Sequence, residues 1–303
     1  MKEQLKNEIL RLKKEKNAVI LAHYYAPDEI QEIADFVGDS FYLAKIAKKS
    51  SADLIVFCGV YFMGESAKIL NPNKKVLMPD ISADCPMAHM VNPKRIDELR
   101  QQYEDLAVVC YINSTAELKA KSDVCVTSSN AVSIVNALPN HNIFFIPDQN
   151  LGRYVADHIP EKNIILNDGF CPIHAAISAD DLKRAKENHP NALVLAHPEC
   201  DESILSLSDY IGSTADIISY TDKSTADEFI ICTEDGVKFK LAGDHPEKKF
   251  YFPEMRPCCT DMKRYTLQKL LHVLETEENE ITVSDERRAA ALIPLEKMLE
   301  LAW

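Results

Sequence analysis

Three of the nine cysteines recur at nearly equal intervals along the chain. Cys85, Cys171 and Cys259 are separated by 86 and 88 residues, and each follows a short apolar run by a few positions. In open α/β sheets, the loops beyond the carboxyl ends of the strands form the binding crevice. If the three runs are strands of three equivalent units that face one another, we expect the three thiols to meet at one point.

Three convergent thiolates suit a soft metal centre. A structural zinc site normally has four ligands, and the sequence has no CxxC pair or suitably spaced histidine to complete one. A [4Fe–4S] cluster that is bound by three cysteines leaves one iron open. An open iron can act as a Lewis acid and polarise an oxygen for loss of water. The pattern therefore favours dehydration or condensation of oxygenated acids over electron transfer.

The remaining cysteines mostly have structural interpretations. Cys258 competes with Cys259 as the third ligand, but Cys259 lies 62 residues after His197, as Cys85 lies 62 residues after His23, and this register favours Cys259. The cysteines within apolar runs are interpreted as small buried hydrophobic residues: Cys58, Cys110, Cys125 and Cys232. The role of Cys200 stays open.

Polar residues follow the first apolar run of each unit, in pairs that are two positions apart. Residues two apart in an extended chain point to the same side, so each pair can face one crevice. A single histidine at a strand end is usually structural, but matching pairs in three units favour a shared site. The pairs are His23 and Tyr25, Tyr111 and Asn113, and His197 and Glu199.

Hydroxyl residues precede a helical stretch in each unit at Ser40, Ser128 and Thr214. They are predicted N-caps, because Ser and Thr are favoured at that position. A helix N-terminus also offers unpaired backbone N–H groups and a positive dipole end, which can hold carboxylate or phosphate. His174, three residues after Cys171, either supports the metal centre or faces the substrate.

These residues recur because the chain contains three copies of one unit. The segments beginning at residues 19, 108 and 193 share an aspartate 12 positions after the first residue of each polar pair, and a hydroxyl residue 17 positions after it. Second apolar runs begin near residues 54, 143 and 229, and third runs near 76, 164 and 250. Short runs rich in Val, Ile and Phe indicate buried parallel strands.

The pattern predicts an α/β protein with three pseudo-symmetric three-layer αβα domains, parallel sheets and an active site at their common interface. The predicted domains are 1–84, 85–170 and 171–260, with C-terminal helices in 261–303 that pack on the first domain together with an N-terminal amphipathic helix. Within the first copy, helices are predicted over 28–36 and 41–49.

Composition narrows the function classes. The net charge of −13 argues against nucleic-acid binding, which depends on Lys and Arg at phosphates. No apolar run is long enough to cross a membrane, and the first residues lack the pattern of a signal peptide, so a cytoplasmic protein with small-molecule substrates is expected. Neither GxxxxGK[ST] nor GxGxxG is present, so nothing indicates ATP or a bound nicotinamide.

Motifs that span nearly the whole chain occur in the following order: AHYYAPDEIQ, GDS, GVYFMGESAKIL, CYIN, VTSSNA, GFCPIH, AHPEC, GST and CTDMK. Together they resemble the motifs of the quinolinate synthase family. The resemblance implies a [4Fe–4S] enzyme of NAD biosynthesis. Such an enzyme condenses iminosuccinate (iminoaspartate) with dihydroxyacetone phosphate to quinolinate, with loss of phosphate and water. It also implies L-aspartate oxidase or aspartate dehydrogenase as the upstream supplier.

The resemblance assigns roles to residues that match the family's motifs. It implies that Cys85, Cys171 and Cys259 bind the cluster, that Tyr25 is catalytic, and that His23 and Glu199 are further candidates for proton transfer. The implied substrate-binding residues are His23, Ser40, Tyr111, Asn113, Ser128, His197, Glu199 and Thr214. His174 is added to this set because it lies three residues after Cys171. Some members carry a CxxCxxC run near the C-terminus. This chain has only the doublet 258–259 there, which puts a disulfide switch of that kind in doubt.

Three alternatives stay open at this point. Another iron–sulfur hydro-lyase acting on a hydroxy acid is nearest in mechanism, and a quinolinate assay discriminates it. A cluster-based redox sensor would need a surface that binds a partner or nucleic acid. The acidic net charge and the polar pairs argue against this alternative. A structural zinc protein is the weakest alternative, and metal analysis would discriminate it.

Overall fold

The computed structural model describes residues 2–302, and it contains three parallel four-stranded sheets. The predicted α/β class with parallel sheets is confirmed. The strands of the first sheet are β1 (Ala18–His23), β2 (Phe36–Gly38), β3 (Leu54–Cys58) and β4 (Lys75–Leu77). Those of the second are β5 (Ala107–Tyr111), β6 (Val124–Val126), β7 (Asn142–Ile146) and β8 (Asn163–Leu166). Those of the third are β9 (Leu193–Ala196), β10 (Tyr210–Ile211), β11 (Glu228–Cys232) and β12 (Lys249–Tyr251).

The strand order is the same in each sheet: the second strand lies at one edge, followed by the first, third and fourth. The inner strands are nearly continuous apolar runs, and all five residues of β3 and of β5 are buried. Such runs are expected where helices cover both faces of a parallel sheet. The carboxyl ends of the first strands, which carry the polar pairs, therefore occupy equivalent places in the three sheets.

Helices lie before, between and after the strands. They are α1 (Lys2–Glu15), α2 (Asp28–Ile33), α3 (Ser40–Lys49), α4 (Tyr61–Leu70), α5 (Pro93–Gln102), α6 (Ala116–Ala120), α7 (Ala131–Ala137), α8 (Gln149–His158), α9 (Pro172–Ala175), α10 (Ala179–Asn188), α11 (Glu202–Leu205), α12 (Thr214–Lys223), α13 (Val237–Asp244), α14 (Leu267–Thr276) and α15 (Asp285–Leu301). None of these helices combines the length and the apolar character that a bilayer crossing requires.

The predicted helix over 28–36 is wrong at its end. The helix stops at Ile33, and Phe36 begins β2, which pairs with Leu21 of β1. The repeated aspartate explains the change. Asp35 accepts a hydrogen bond from the backbone N–H of Ile20 at 2.8 Å, and its own N–H donates to the Ile20 carbonyl at 2.9 Å. These two bonds attach the chain to β1 and end the helix.

The third copy repeats this arrangement. Asp209 accepts a hydrogen bond from the N–H of Val194 at 2.8 Å and donates its own N–H to the Val194 carbonyl at 2.8 Å. The aspartate that marks the sequence repeat is therefore a structural residue. It fixes the edge strand that leads into the next helix, and with it the start of that helix.

The chain divides into two compact units. The first comprises residues 2–89, 112–125 and 260–302, and the second comprises 90–111 and 126–259. Within the first unit, α14 contacts α1, and α15 contacts α4 of the first copy and α6 of the second copy. Ile281 donates its N–H to the Val76 carbonyl at 2.8 Å, so the C-terminal segment also covers the edge strand β4. The domain boundaries at 84 and 170 stay a prediction.

Glu277 links three elements of the first unit and gives a prediction for stability. Its carboxylate pairs with Lys16 at 2.7 Å, just after α1, and with Lys75 of β4 at 2.5 Å. Hydrogen bonds from Lys16 and Lys75 lower the pKa of Glu277 to about 2. This stabilisation is complete above the carboxyl's unfolded pKa, near 4.3, and is lost as the pH falls towards about 2.

We expect Glu277→Gln to lower the free energy of unfolding at neutral pH by about 1 kcal/mol, because the pairs are partly exposed. The difference from wild type should shrink as the pH falls below about 4.3, which denaturation at several pH values measures. Glu161→Gln, at an exposed position, is the control and should change stability by less than about 0.5 kcal/mol. A pH-independent difference between Glu277→Gln and wild type would contradict this account.

Candidate active site

Burial separates the cysteines into three groups. Cys85, Cys171 and Cys259 are half-buried, and Cys258 is exposed. The other five are buried: Cys58, Cys110, Cys125, Cys200 and Cys232. Burial raises the pKa of the Cys232 thiol to about 12 and also raises that of Cys58 and Cys200. Because thiolates bind metals, the half-buried cysteines are better placed as ligands than the buried ones.

Buried carboxylates hold the backbone next to two of the half-buried cysteines. Cys171 donates its N–H to Asp148 Oδ2 at 3.1 Å, and Cys259 donates its N–H to Glu234 Oε1 at 3.0 Å. Asp148 and Glu234 are 0% and 1% exposed. The second oxygen of Asp148 accepts the backbone N–H of Leu151 at 2.8 Å and thereby caps α8. Each carboxylate therefore fixes a cysteine loop to the strand end behind it.

In the first unit, the backbone N–H of Cys85 is bound by a different kind of residue. Cys85 donates its N–H to Oδ1 of the preceding residue, Asp84, at 2.8 Å, and the other oxygen of Asp84 lies 2.7 Å from His89 Nε2. The position equivalent to Asp148 and Glu234 is Val60 in this copy. The loop amide is satisfied in all three copies, twice by a strand-end carboxylate and once by a local one.

We expect Glu234→Gln to lower the free energy of unfolding by about 1–3 kcal/mol, measured by chemical denaturation. Glu234 Oε1 accepts from Cys259 and Oε2 accepts from Gly236 at 2.7 Å, and an amide can replace only one of these acceptors. Glu187→Gln, exposed on α10, is the matched control. Equal stability of the two variants would show that the Glu234 carboxylate is not needed to hold the Cys259 loop.

Glu199 is the centre of a buried polar network in the second unit. Its Oε2 lies 2.9 Å from His174 Nδ1 and 3.3 Å from His197 Nδ1, and Asn150 donates to its backbone carbonyl at 3.1 Å. Burial opposes ionisation, but the charge of His174 and its hydrogen bond outweigh burial and lower the pKa of Glu199. Glu199 is therefore a buried carboxylate held in its ionised form.

His197 is held as a neutral hydrogen-bond donor. Its Nδ1 accepts the backbone N–H of Glu199 at 3.2 Å, so the ring proton lies on Nε2, which is 3.1 Å from Ser128 Oγ. Burial lowers the pKa of His197 to about 3, against the opposing charge of Glu199. We assign the proton donor of the Glu199 carboxylate to His174, because the backbone amide occupies Nδ1 of His197.

His174 joins Glu199 to a predicted cluster ligand. Its Nδ1 lies 3.1 Å from Cys171 Sγ as well as 2.9 Å from Glu199 Oε2, and its Nε2 lies 2.9 Å from Thr233 Oγ1. The ring stacks on that of His197 with centroids 4.7 Å apart. His174 is thus buried between a cysteine and the central carboxylate.

The first unit contains the same strand-end turn. His23 ends β1, and its Nδ1 accepts the N–H of Tyr25 at 3.1 Å, as His197 accepts that of Glu199. The two rings, His23 and Tyr25, meet edge to face at 4.4 Å, and both residues are largely buried. Lys263 donates to the Tyr25 carbonyl at 2.8 Å. The turn therefore leaves His23 with its proton on Nε2.

Asn113, also in the first unit, carries a buried acceptor. Its Oδ1 is inaccessible and accepts no hydrogen bond from any of residues 2–302. The neighbouring loop is held by Lys119, which donates from a fully buried position to the Ser114 carbonyl. A buried side-chain acceptor without a partner is unusual in folded proteins and is consistent with a ligand-binding position.

The predicted N-caps are displaced by one or more residues. The N-cap of α3 is Asp39, which accepts from Tyr42 N–H at 2.8 Å, and Ser40 is the first helical residue. The N-cap of α12 is Ser213, which forms a capping box with Asp216, and Thr214 follows it. The N-cap prediction for Ser40 and Thr214 is therefore wrong, because an adjacent Asp or Ser takes that place.

Ser128 is not an N-cap either. It lies in a turn before α7, whose N-cap is Asn130, and its hydroxyl pairs with His197. The Asn130 side chain accepts the N–H of Thr127 at 2.7 Å and closes that turn. The repeat thus places a hydroxyl residue at or just before a helix start in each copy, with the capping bonds made by other residues.

A family profile described as Quinolinate synthetase A protein matches residues 7–300 of the chain. The chain belongs to this family. A quinolinate synthase from Fusobacterium nucleatum is 55% identical over 298 residues, 98% of this chain and 99% of that protein. Quinolinate synthases from Caldicellulosiruptor bescii and Clostridioides difficile are 52% and 50% identical, over 99% and 100% of this chain and 99% of each protein.

In this member of the quinolinate synthetase A family, the predicted site residues fall in both units. The first unit holds His23, Tyr25, Ser40, Cys85 and Asn113. The second holds Tyr111, Ser128, Cys171, His174, His197, Glu199, Thr214 and Cys259. Within the second unit, the network brings Ser128, His197, Glu199, His174 and Cys171 together. Within the first, His23 and Tyr25 are in contact.

Sequence reasoning missed several residues that hold these side chains. Asp148 and Glu234 lie 37 residues after Tyr111 and His197 respectively, so the repeat register would have found them. Lys263 lies in the CTDMK motif, in which the sequence predicted a role only for Cys259. Thr233 gave no signal, since a lone threonine after an apolar run is common.

Proposed function

We propose that the chain condenses iminosuccinate with dihydroxyacetone phosphate to quinolinate, with loss of phosphate and water, using a [4Fe–4S] cluster in NAD biosynthesis. The observation that carries this proposal is the 55% identity to a quinolinate synthase over 98% of the chain. L-Aspartate oxidase or aspartate dehydrogenase would supply the unstable imine.

The donor set fits such a cluster. We assign Cys85, Cys171 and Cys259 as its ligands, because these three cysteines are half-buried while those within the strands are buried thiols. Three thiolates leave one iron of a [4Fe–4S] cluster without a protein ligand. When bound, the cluster supplies a Lewis acid at that open iron, suited to activating a hydroxyl or carboxylate oxygen.

The protein's own residues bind the substrates and move protons in this proposal. Helix starts at α3 and α12, next to Ser40 and Thr214, offer backbone N–H groups for carboxylate and phosphate despite the net charge of −13. Neutral His197 donates from Nε2, and ionised Glu199 is a proton acceptor. Tyr25, beside His23, is assigned as the catalytic tyrosine of isomerisation or ring closure.

We expect Tyr25→Phe to reduce turnover by about 10²–10⁴-fold, the usual contribution of one proton-transfer group. Cluster content should be unchanged, because Phe keeps the ring packed edge to face on His23. Quinolinate formation and iron content in the same sample measure this. Tyr24→Phe is the neighbouring control and should stay near wild type. A wild-type rate for Tyr25→Phe would remove Tyr25 from the catalytic set.

The function is tested by supplying iminosuccinate and dihydroxyacetone phosphate to the anaerobically prepared chain and measuring quinolinate. Formation of quinolinate that requires both substrates supports the proposal. Dehydration of a hydroxy acid without quinolinate formation would contradict it and identify another iron–sulfur hydro-lyase. Binding of iron and sulfide without turnover on either would instead favour a sensor.

A further inference from the structure

Three side chains of the second unit converge in a way that suits a single divalent cation. Their ligand atoms, Cys171 Sγ, His174 Nδ1 and a carboxylate oxygen of Glu199, all lie within 4.8 Å of one another. We propose that these three residues bind one zinc ion when the chain carries no iron–sulfur cluster. The site differs from the proposed cluster ligands, with which it shares only Cys171.

The distances are close to those of a zinc site. Tetrahedral zinc with Zn–S near 2.3 Å and Zn–N or Zn–O near 2.0 Å requires ligand atoms about 3.3–3.6 Å apart. His174 Nδ1 lies 3.1 Å from Cys171 Sγ and 2.9 Å from Glu199 Oε2, so each of these two pairs would separate by a few tenths of an ångström to admit the ion, and the sulfur and the carboxylate lie within 4.8 Å of one another. Three protein ligands and one water complete four-coordination.

The charges of the three residues match a dication. A cysteine thiolate and a glutamate carboxylate together neutralise Zn²⁺, and histidine binds zinc as a neutral ring. His174 and Glu199 are 2% and 3% exposed, so an ion there would be largely shielded from water, and a neutral set of charges avoids the cost of burying one alone.

A second observation points to a ligand at this place. Glu199 Oε1 is buried and accepts no hydrogen bond within the part of the chain that the structure describes. Glu199 already lies between His174 and His197 through its other oxygen. A cation bound through both carboxylate oxygens would satisfy Oε1 as well as Oε2, and a buried acceptor left without a partner is costly.

The far side of His174 has the support typical of a metal-binding histidine. Such a ring donates its other N–H to an oxygen, which fixes its orientation. His174 Nε2 lies 2.9 Å from Thr233 Oγ1, and Thr233 is fully buried. The hydroxyl can donate to Nε2 in the empty site and accept from Nε2–H once Nδ1 binds the cation.

Sharing Cys171 makes the two metal centres mutually exclusive, if Cys171 is a cluster ligand as proposed above. Zinc bound before cluster assembly would occupy one of the three thiolates. We therefore expect prior addition of equimolar Zn²⁺ to reduce reconstitution of the wild-type chain, and removal of zinc by a chelator to restore it. Undiminished reconstitution after Zn²⁺ addition would contradict this shared use of Cys171.

The direct test uses a full-length variant in which Cys85, Cys258 and Cys259 are serine. This variant lacks the proposed cluster site but keeps all three residues of the zinc site. Titration with Co²⁺, a spectroscopic substitute for zinc, should give one ion per chain with a thiolate-to-cobalt absorption and tetrahedral bands. Zn²⁺ should displace the Co²⁺.

Added to this variant, Cys171→Ser, His174→Gln and Glu199→Gln should each abolish the tetrahedral spectrum. Thr233→Val should weaken Co²⁺ binding by about 10–100-fold, the usual effect of an outer partner. Absence of Co²⁺ binding in the parent variant, or the same spectrum without His174 or Glu199, would overturn the proposal. The function proposed above is tested separately, by measuring quinolinate formation with the cluster-loaded wild type.

Discussion

Cys259→Ser should abolish both cluster binding and quinolinate formation, whereas Cys258→Ser should leave both near the wild-type level. The two residues are adjacent, yet Cys259 is half-buried with its N–H held by buried Glu234 at 3.0 Å, and Cys258 is exposed. A cluster needs the fixed thiolate, and a serine hydroxyl is a poor substitute for it. Absorbance of the cluster, iron content and quinolinate formation measure the difference.

Cys85→Ala and Cys171→Ala should behave like Cys259→Ser, because a cluster with two cysteine ligands is not expected to persist. Cys258→Ser is the matched control, because it makes the same Cys-to-Ser change at the residue next to Cys259 and removes a thiol that is not a proposed ligand. Turnover retained in any cluster-free variant would contradict the mechanism. Loss of the cluster in Cys258→Ser together with its retention in Cys259→Ser would reverse the ligand assignment.

Glu199→Gln should reduce turnover by about 10²–10⁴-fold, because the amide cannot accept a proton in place of the carboxylate. Glutamine has nearly the same shape, so it can still accept a hydrogen bond from His174 Nδ1. Cluster content and substrate binding should therefore change less than the chemical step. Steady-state kinetics at saturating substrate, with iron content determined on the same sample, measure this effect.

The control for this variant is Glu202→Gln, three residues further along the chain, where an exposed side chain begins α11. It should keep the wild-type rate. Equal rates for Glu199→Gln and wild type would exclude Glu199 as a proton-transfer group. A parallel fall in cluster content and rate would show instead that Glu199 acts through the fold of the Cys171 region.

The sequence repeat was sufficient to predict the three parallel sheets. Strands β3, β7 and β11 are short apolar runs in common register, and such runs are typical of sheets covered on both faces. In α14, the helical stripe through Leu267, Leu270 and Leu274 is buried, as expected for the apolar face of a helix that packs on the protein.

The short edge strands could not be predicted in the same way. β10 has only two residues, and β2 begins at Phe36 inside what the apolar pattern favoured as a helix. Side-chain bonds from Asp35 and Asp209 to neighbouring strands decide these segments. A bond between residues 15 positions apart has no local signal, although the repeat marked both aspartates as special.

The candidate site was predicted as a set of residues, but its geometry was not. Spacing identified His197 and Glu199 as a pair that faces one side, and the structure adds that one backbone bond fixes the ring's proton on Nε2. The N-caps were misplaced because Asp39 and Ser213, each directly before the predicted residue, are equally good caps. Only the folded chain shows which neighbour makes the capping bond.

The central claim is that quinolinate formation depends on a cluster at Cys85, Cys171 and Cys259. Its most direct test is anaerobic reconstitution of samples that contain different amounts of cluster. We expect up to about four iron and four sulfide per chain. Quinolinate formation from iminosuccinate and dihydroxyacetone phosphate should rise in proportion to that content and vanish in its absence. Quinolinate formation that does not vary with iron and sulfide content would contradict the account.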